Sequence, residues 1–450
     1  MAQDVLIGVD AGTSSIKALL LSRAGEELAV GRALTPWREV ATGSESDARQ
    51  LATAARKAIA DALAQLPQAR VLALGVASMG ESGVLVDAAD APLGPVIAWH
   101  DDRDRDLVAQ LAADLGEAAF CATTGLPLWP QWSLTKHRWL REHVPATAAA
   151  VRRYSVAEWI VRDLGGDPVH EYSLASRTGW LELATGRPYA DALAWSGAPA
   201  GVVDNLIDAG APAGQARTDG PLAALDGAIL TVAGHDHQVA AVGLGCYRPG
   251  DEFDSAGSAE ALLRTADPGL PAQTILELTR AGVTVGRHAS PGRWCLLGAT
   301  QGGLALTATL RELGVSRDGI PALDTAALAA DTARSDAADQ PGLIRLAAAN
   351  GEVVINPGAT PGDVWRAATR AITAAAAALG DRLTAATGPR RDLVVAGGWT
   401  HSSALMAAKT ELLGPHRLAA TAEAGCRGAA LFAGLAAGTY PTLDAAPTAR

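Results

Sequence analysis

The stretch LIGVDAGTSSIKALLLSRAGEEL, residues 6–28, decides the fold. An apolar strand runs into Asp10. Gly12, Thr13, Ser14 and Ser15 follow, then Lys17 and a second apolar run that turns at Ala24-Gly25. The spacing is not the Walker loop, which needs G-x-x-x-x-G-K-[ST] opening a helix. It predicts a β-hairpin whose tip carries small donors with one carboxylate beside them. Backbone N–H groups and hydroxyls in such a tip converge on an anion. Taken alone, Gly-Thr-Ser-Ser is also an ordinary β-turn.

The pattern returns half-way along the chain. DEFDSAGSAEALLRTADPG, residues 251–269, again has acids, a glycine beside small hydroxyls, an apolar strand and a turn. An internal echo predicts two related domains. The division is expected at 1–246 and 247–450, by the loop signal Arg248-Pro249-Gly250. Two such hairpins, one per domain, would clamp a polyphosphate between them. In that scheme Asp10 holds Mg²⁺, directly or through water, while Thr13, Ser14 and Lys17 face the transferring phosphoryl group. Gly257 and Ser258 grip the other side.

Working outward, Val5–Asp10, Lys17–Leu21 and Leu28–Arg32 read as neighbouring strands. Ser46 reads as the cap of a helix with apolar positions Leu51, Ala55, Ile59 and Leu63. Val71–Ala77 and Ile229–Val232 read as buried strands. Helices are predicted at 133–143, 155–164, from 238, and at 300–313, 360–387, 402–413 and 425–437. Asp392–Ala396 is a strand running into Gly397-Gly398. Strands alternating with helices make this an α/β protein.

The chain has 450 residues, 49% of them hydrophobic and 19% charged, which suits a two-domain globular protein. A net charge of −11 excludes a broad nucleic-acid or anionic-membrane surface. The four cysteines are scattered without a C-x-x-C pair, which fits a reducing cytosol and argues against a zinc or disulfide framework. The start MAQDVLIGVD lacks a signal-peptide pattern, and no run resembles a membrane span, so a cytoplasmic location is expected. Only four lysines occur, Lys17, Lys57, Lys136 and Lys409, which makes Lys17 in the hydroxyl-rich tip unlike an incidental surface residue.

Seven ordered motifs resemble those of the FGGY carbohydrate kinases, members of the actin-like ATPase superfamily. They are VDAGTSSIKALLLSRAGE, VIAWHDDR, EYSLASRTGWLELATGRPY, AGHDHQVAAVGLG, DSAGSAEALL, VVAGGWTHSSALMAAKTELLG and AEAGCRGAALFAGLAAG. The resemblance spans nearly the whole chain and points to a divergent xylulokinase- or fuculokinase-like member. It implies two actin-like, ribonuclease H-like domains with a catalytic cleft between them. It also implies ATP and Mg²⁺ as cofactors and phosphorylation of a hydroxyl on a small sugar or polyol. A homodimer is compatible with it, and no nucleic-acid or membrane partner is implied.

Asp236 stands where the family has its general base, which accepts the substrate proton as the oxygen attacks the γ-phosphate. The same residue also suits a helix N-cap. Trp99, Asp101 and Arg103 match the substrate-side motif: an indole face for a sugar's C–H surface, and charged groups for hydroxyls. Their plainer reading is a core tryptophan with a surface ion pair. His237 lines the pocket or packs. Asp236 shares the metal with Asp10. Gly397, Gly398 and Ser402 match the nucleotide motif, and Gly302-Gly303 precede another helix start. Glu423 is structural or near the ribose.

The chain departs from the family in two places. Where the family has G-Q-M-H, this chain has Ser78-Met79-Gly80-Glu81, so Met79 and Glu81 are expected to set an unusual substrate preference. A buried Glu81 needs donors: substrate hydroxyls, a substrate amine, or Arg103. The segment from Pro341 to Asp363 is the second departure and bears on the cleft wall. Competing readings are a kinase for a non-sugar polyhydroxylated signal or cyclitol, and a non-catalytic sugar-binding regulator. Retention of Asp236 argues against a pure sensor.

Overall fold

The computed structural model describes residues 3–257, 259–333, 344–347, 352–355 and 358–447. They divide into two compact units: 1–247, 267–295 and 423–450 form one, while 248–266 and 296–422 form the other.

The first unit is built on strands β1 (Gln3–Ala11), β2 (Ser15–Ser22) and β3 (Glu27–Leu34), helix α1 (Ala48–Ala64), β4 (Ala69–Ser78), β5 (Ile229–His235) and helix α2 (Asp236–Gly243). The five strands form one sheet in the order β5-β4-β1-β2-β3. β1 and β2 form the expected antiparallel hairpin, and β4 and β5 run parallel to β1. Leu6, Ile7, Val9, Ile16, Leu19 and Leu20 are fully buried on it. Each large aliphatic side chain so buried contributes about 1.5–3 kcal/mol. α1 covers the sheet through Leu51, Ala55, Ile59 and Leu63. Its cap is Asp47, which accepts from the N–H groups of Arg49 and Gln50 at 2.8 and 3.1 Å. The expected Ser46 instead ends a short strand and donates its hydroxyl to the Pro36 carbonyl at 2.9 Å.

The second unit contains β6 (Asp251–Ala256), β7 (Glu260–Ala266), β8 (Trp294–Thr300), α3 (Gly302–Glu312), α4 (Pro361–Thr387), β9 (Asp392–Ala396), α5 (Ser403–Leu413) and β10 (Arg417–Leu418). β8 begins at the boundary of the unit. Five strands of its six-stranded sheet run in the order β8-β7-β6-β9-β10. β6 and β7 are an antiparallel hairpin, and β9 lies parallel to β6 with β10 parallel to β9. This is the strand order of the first sheet repeated, as the sequence echo predicted.

Two contiguous halves were expected at 1–246 and 247–450, and this is corrected. The last helix, α6 (Ala424–Ala436), belongs to the first unit. It approaches that sheet at backbone distance. A Cβ on Gly8 would stand 1.8 Å from the Cys426 carbonyl oxygen, and one on Gly75 2.3 Å from that of Ala429. A Cβ on Gly428 would meet the Val239 carbonyl at 1.9 Å. Only glycine permits that contact.

Residues 341–343, 348–351 and 356–357 of the Pro341–Asp363 segment lie outside the described residues. What is described there is an antiparallel pair, Ile344–Ala347 with Glu352–Ile355, and the start of α4 capped by Thr360. Among the described residues no helix is long and apolar enough to cross a membrane.

Candidate active site

The first hairpin closes with the Gly12 N–H bonded to the Ser15 carbonyl at 3.1 Å, so Thr13 and Ser14 form the tip. Asp10 stands opposite Lys17 across the strands. The tip carbonyls are turned into the protein. Thr35 donates its hydroxyl to Gly12 O at 2.7 Å, and the Trp37 indole donates to Thr13 O at 2.8 Å. Trp99, expected as a stacking face for a sugar, donates its indole N–H to the Thr13 hydroxyl at 2.8 Å. The substrate motif and the phosphate motif therefore meet at Thr13. Lys17 is taken up by Glu423, whose carboxylate accepts from it at 2.8 Å and also bonds Arg32. At 30% exposure Lys17 remains reachable from solvent.

Two carboxylates with opposite electrostatics lie in this unit. Asp10 is the next-to-last residue of β1, and the start of α6 lies against it: a Cβ on Gly425 would fall 2.3 Å from Asp10 Oδ2. Its Oδ1 is sealed from solvent with no hydrogen-bond partner among the described residues. Burial first, and then the charge of Asp236, push this carboxyl up to about 7. Asp236 is the first residue of α2, and His235 holds the N-cap position, so Asp236 is not the cap. Its Oδ1 accepts the His237 N–H at 2.6 Å and lies 3.0 Å from His237 Nδ1. Burial works against ionisation of Asp236, yet the neighbouring His237 and His235 hold it well below the usual carboxylate range. His235 is itself pushed down to about 3 by burial. His237 is raised: burial opposes its charge, and Asp236 outweighs the burial.

A hard divalent cation takes oxygen ligands. The unpartnered Asp10 oxygen together with ionised Asp236 is a donor set of that kind, and a bound Mg²⁺ would return Asp10 to its charged form. The two residues fit the ion.

Glu81 is buried and does not pair with Arg103. Its partner is Arg177, whose Nε donates to Oε1 at 2.6 Å, while Gln131 donates to the same oxygen at 3.0 Å. The Glu81 carbonyl accepts from Arg153 at 2.7 Å and Ser133 at 2.9 Å, which fixes the loop. Arg177 also lies over the Trp132 ring, 5.2 Å from its centroid. Arg177 sits in the motif EYSLASRT, which carried the signal for it; Gln131 had none.

Three residues expected in the substrate pocket have other employment. Met79 is buried in the sheet core. Asp101 accepts from the Ser44 N–H at 2.6 Å and from Arg103 Nε at 2.9 Å. Gly43 makes room for it, since a Cβ there would stand 1.9 Å from Asp101 Oδ2. Arg103 is completed by Glu45 at 3.2 Å and by the Trp139 ring. This is a buried ion pair that shapes the wall, with its donors and acceptors turned inward.

In the second unit, the hairpin's last cross-strand pair is Ala256 with Glu260, and the Gly257 N–H bonds Ser255 O at 3.0 Å. Ser258 lies outside the described residues. Behind the hairpin is a sealed ion cluster: Lys409 of α5 bonds Asp254 at 2.5 Å and also Glu260, and none of the three is more than 2% exposed. Glu260 accepts the Thr300 hydroxyl at 2.8 Å and leaves no room for a Cβ on Gly302, which would fall 2.8 Å from Glu260 Oε2. Gly302 and Gly303 are both buried at the start of α3. Gly397 has φ +114°, and a Cβ there would meet the Ala256 carbonyl at 2.3 Å, so its absence of side chain serves close packing. Gly398 faces open space. The Ser402 hydroxyl, expected on the nucleotide, caps α5 at Leu405 N–H and donates to Asp324 at 2.8 Å.

Residues 5–243 match the N-terminal domain model of the FGGY family of carbohydrate kinases. A glycerol kinase of Leptothrix cholodnii is 30% identical over 98% of this chain and 92% of its own length. A glycerol kinase of Ectopseudomonas mendocina is 30% identical over 62% of this chain, a match that spans 58% of that relative. The solved structure of a xylulose kinase from Rhodospirillum rubrum superposes with a TM-score of 0.85 at 23% identity, covering 98% of this chain and 92% of that one, and it shares the two-domain α/β fold. The chain belongs to the FGGY family of carbohydrate kinases.

Proposed function

We propose that the protein transfers the γ-phosphoryl group of ATP, with Mg²⁺, to a hydroxyl of a small sugar or polyol, and that Asp236 is the general base. The observation that carries this reading is the carboxylate pair. Asp236 is held ionised at the start of α2, and Asp10 is left unpartnered beside the phosphate-type hairpin. The relatives named glycerol kinase and xylulose kinase support a hydroxyl acceptor.

In the reaction the acceptor O–H gives its proton to Asp236 as its oxygen bonds to phosphorus, and the bond to ADP breaks. Asp10 and Asp236 would hold Mg²⁺, which supplies charge neutralisation for the phosphates. Lys17 and the Thr13 and Ser14 donors stabilise the transferring group; Lys17 must exchange Glu423 for phosphate to do so. Trp99 keeps the tip in place through Thr13. Glu81 selects the acceptor. Among the described residues its side-chain bonds converge on Oε1, which leaves Oε2 for a substrate hydroxyl.

An ATP-consumption screen across glycerol, tetritols, pentitols, pentoses, ketoses, hexoses and sugar acids tests the reading. Turnover with at least one polyhydroxylated acceptor, absent without Mg²⁺, is expected. ATP hydrolysis indifferent to every acceptor would contradict it.

A further inference from the structure

Three ligating side chains stand together where β5 enters α2. Asp236 Oδ1 lies 3.0 Å from His237 Nδ1 and 3.4 Å from His235 Nε2. The three candidate ligand atoms all fall within 4.8 Å of one another. The imidazoles lie nearly parallel, 20° apart in plane with centroids 5.7 Å apart. A tetrahedral ion with bonds of about 2.0–2.1 Å holds its ligand atoms roughly 3.3 Å apart. Two of the three pairs are already at that spacing.

His235 is the second pointer. It is 4% exposed and poorly satisfied. Its Nδ1 is sealed without a hydrogen-bond partner among the described residues. Its Nε2 is 3.4 Å from the carboxylate, longer than a good N–H···O bond. A buried polar group in that state has something to gain from a ligand. His237, with a side chain 39% exposed, provides the way in. Two imidazoles and one carboxylate are the ligands of zinc-class ions, whereas Mg²⁺ prefers an all-oxygen shell. Three protein ligands also leave a fourth position open.

We propose that His235, Asp236 and His237 bind one divalent transition ion of the zinc class, and that this ion holds the site inactive by occupying the carboxylate oxygen of Asp236. The binding site stands on the geometry alone. The inhibition rests on Asp236 being the base, as proposed above. Binding displaces the proton from whichever ligating nitrogen carries it and releases it to solvent, so it weakens as pH falls.

The test uses the full chain in Mg²⁺-saturated buffer, titrated with Co²⁺ and followed by its visible absorption, then with Zn²⁺ by calorimetry. One ion per chain is expected, with Zn²⁺ displacing Co²⁺. His237→Gln should bind on the order of 100-fold more weakly. That side chain is partly exposed, so the variant should fold, and a circular dichroism melt checks it. His235→Gln is the second variant and should weaken binding likewise. No saturable Co²⁺ spectrum, or the same affinity in wild type and both variants, overturns the site. In a second arm, Zn²⁺ should arrest wild-type turnover reversibly to chelator, with His237→Gln needing correspondingly more. Occupancy without arrest overturns the inhibitory role. If no acceptor supports turnover at all, the kinase reading fails and the titrations still decide the site.

Discussion

The two hairpins share a strand order and differ in what stands behind them. In the first, Asp10 keeps an oxygen with no partner among the described residues, and the lysine opposite it, Lys17, is partly open to solvent and bonded to Glu423. In the second, Asp254 bonds Lys409 through Oδ2 in a cluster with Glu260 that solvent does not reach, although its Oδ1 too is without a partner among the described residues. Each hairpin carries its acid on the inner strand, next to a parallel neighbour. The difference comes from the helix laid against it. α6 begins with small residues and brings a glycine to Asp10, while α5 brings an ammonium to Asp254. One element, used twice, thus becomes an acid with no ammonium bonded to it and an acid bonded to a buried ammonium through one oxygen.

Replacing the buried cation should break the comparison most severely. Lys409→Met leaves two carboxylates facing each other in the interior, and removing one partner of a buried ion pair costs about 3–5 kcal/mol. Lys17→Met should cost no more than about 1 kcal/mol, because its bridge is partly solvated, yet it should lower kcat. Denaturant midpoints for both variants give the ordering. Equal losses would mean that the two clusters are not different in kind.

pH offers a second contrast. Asp10 and Asp254 are both raised from 3.8 to about 7, so between those values the folded state holds protons that the unfolded state has lost. Stability of the Mg²⁺-free protein should therefore fall as pH rises through that window, and either Asp→Asn change should flatten the fall. Mg²⁺ should restore stability near pH 8 in wild type and in Asp254→Asn, and not in Asp10→Asn. Thermal melts across pH with and without the ion read this directly. Restoration in Asp10→Asn would remove the metal role.

A smaller effect is expected at Glu81→Gln. It should raise KM for the preferred acceptor about 10- to 100-fold with a lesser change in kcat, since a hydrogen bond to a charged group contributes about 1.5–3 kcal/mol. A uniform loss across all acceptors would assign Glu81 to holding Arg177 only. Smallest is Ser402→Ala. Losing the α5 cap should cost about 1 kcal/mol with little change in KM for ATP. A large KM change would return Ser402 to the nucleotide.

Local pattern made much of this legible. Helix 133–143 and strand 392–396 were read at their observed ends, and both hairpins were visible, because alternation, caps and turn glycines are properties of neighbouring residues. Partners distant in the chain were not. Glu81 and Arg177 are 96 residues apart, and Lys409 and Asp254 155 apart. No periodicity links such pairs. The return of α6 to the first sheet was equally hidden. Its device is the missing side chain at Gly8 and Gly75, and a strand glycine by itself reads as a weak point. Asp101 and Arg103 matched a motif, but a motif does not say whether a charged side chain faces a cavity or the interior.

The most direct test of the account is single-turnover phosphoryl transfer to the best acceptor from the screen, comparing wild type with Asp236→Asn at equal ATP occupancy. Loss of a general base costs about 10²–10⁴ in rate. The account predicts a loss of that size with ATP affinity unchanged. Transfer within about tenfold of wild type would contradict it, because a carboxamide cannot take the acceptor's proton.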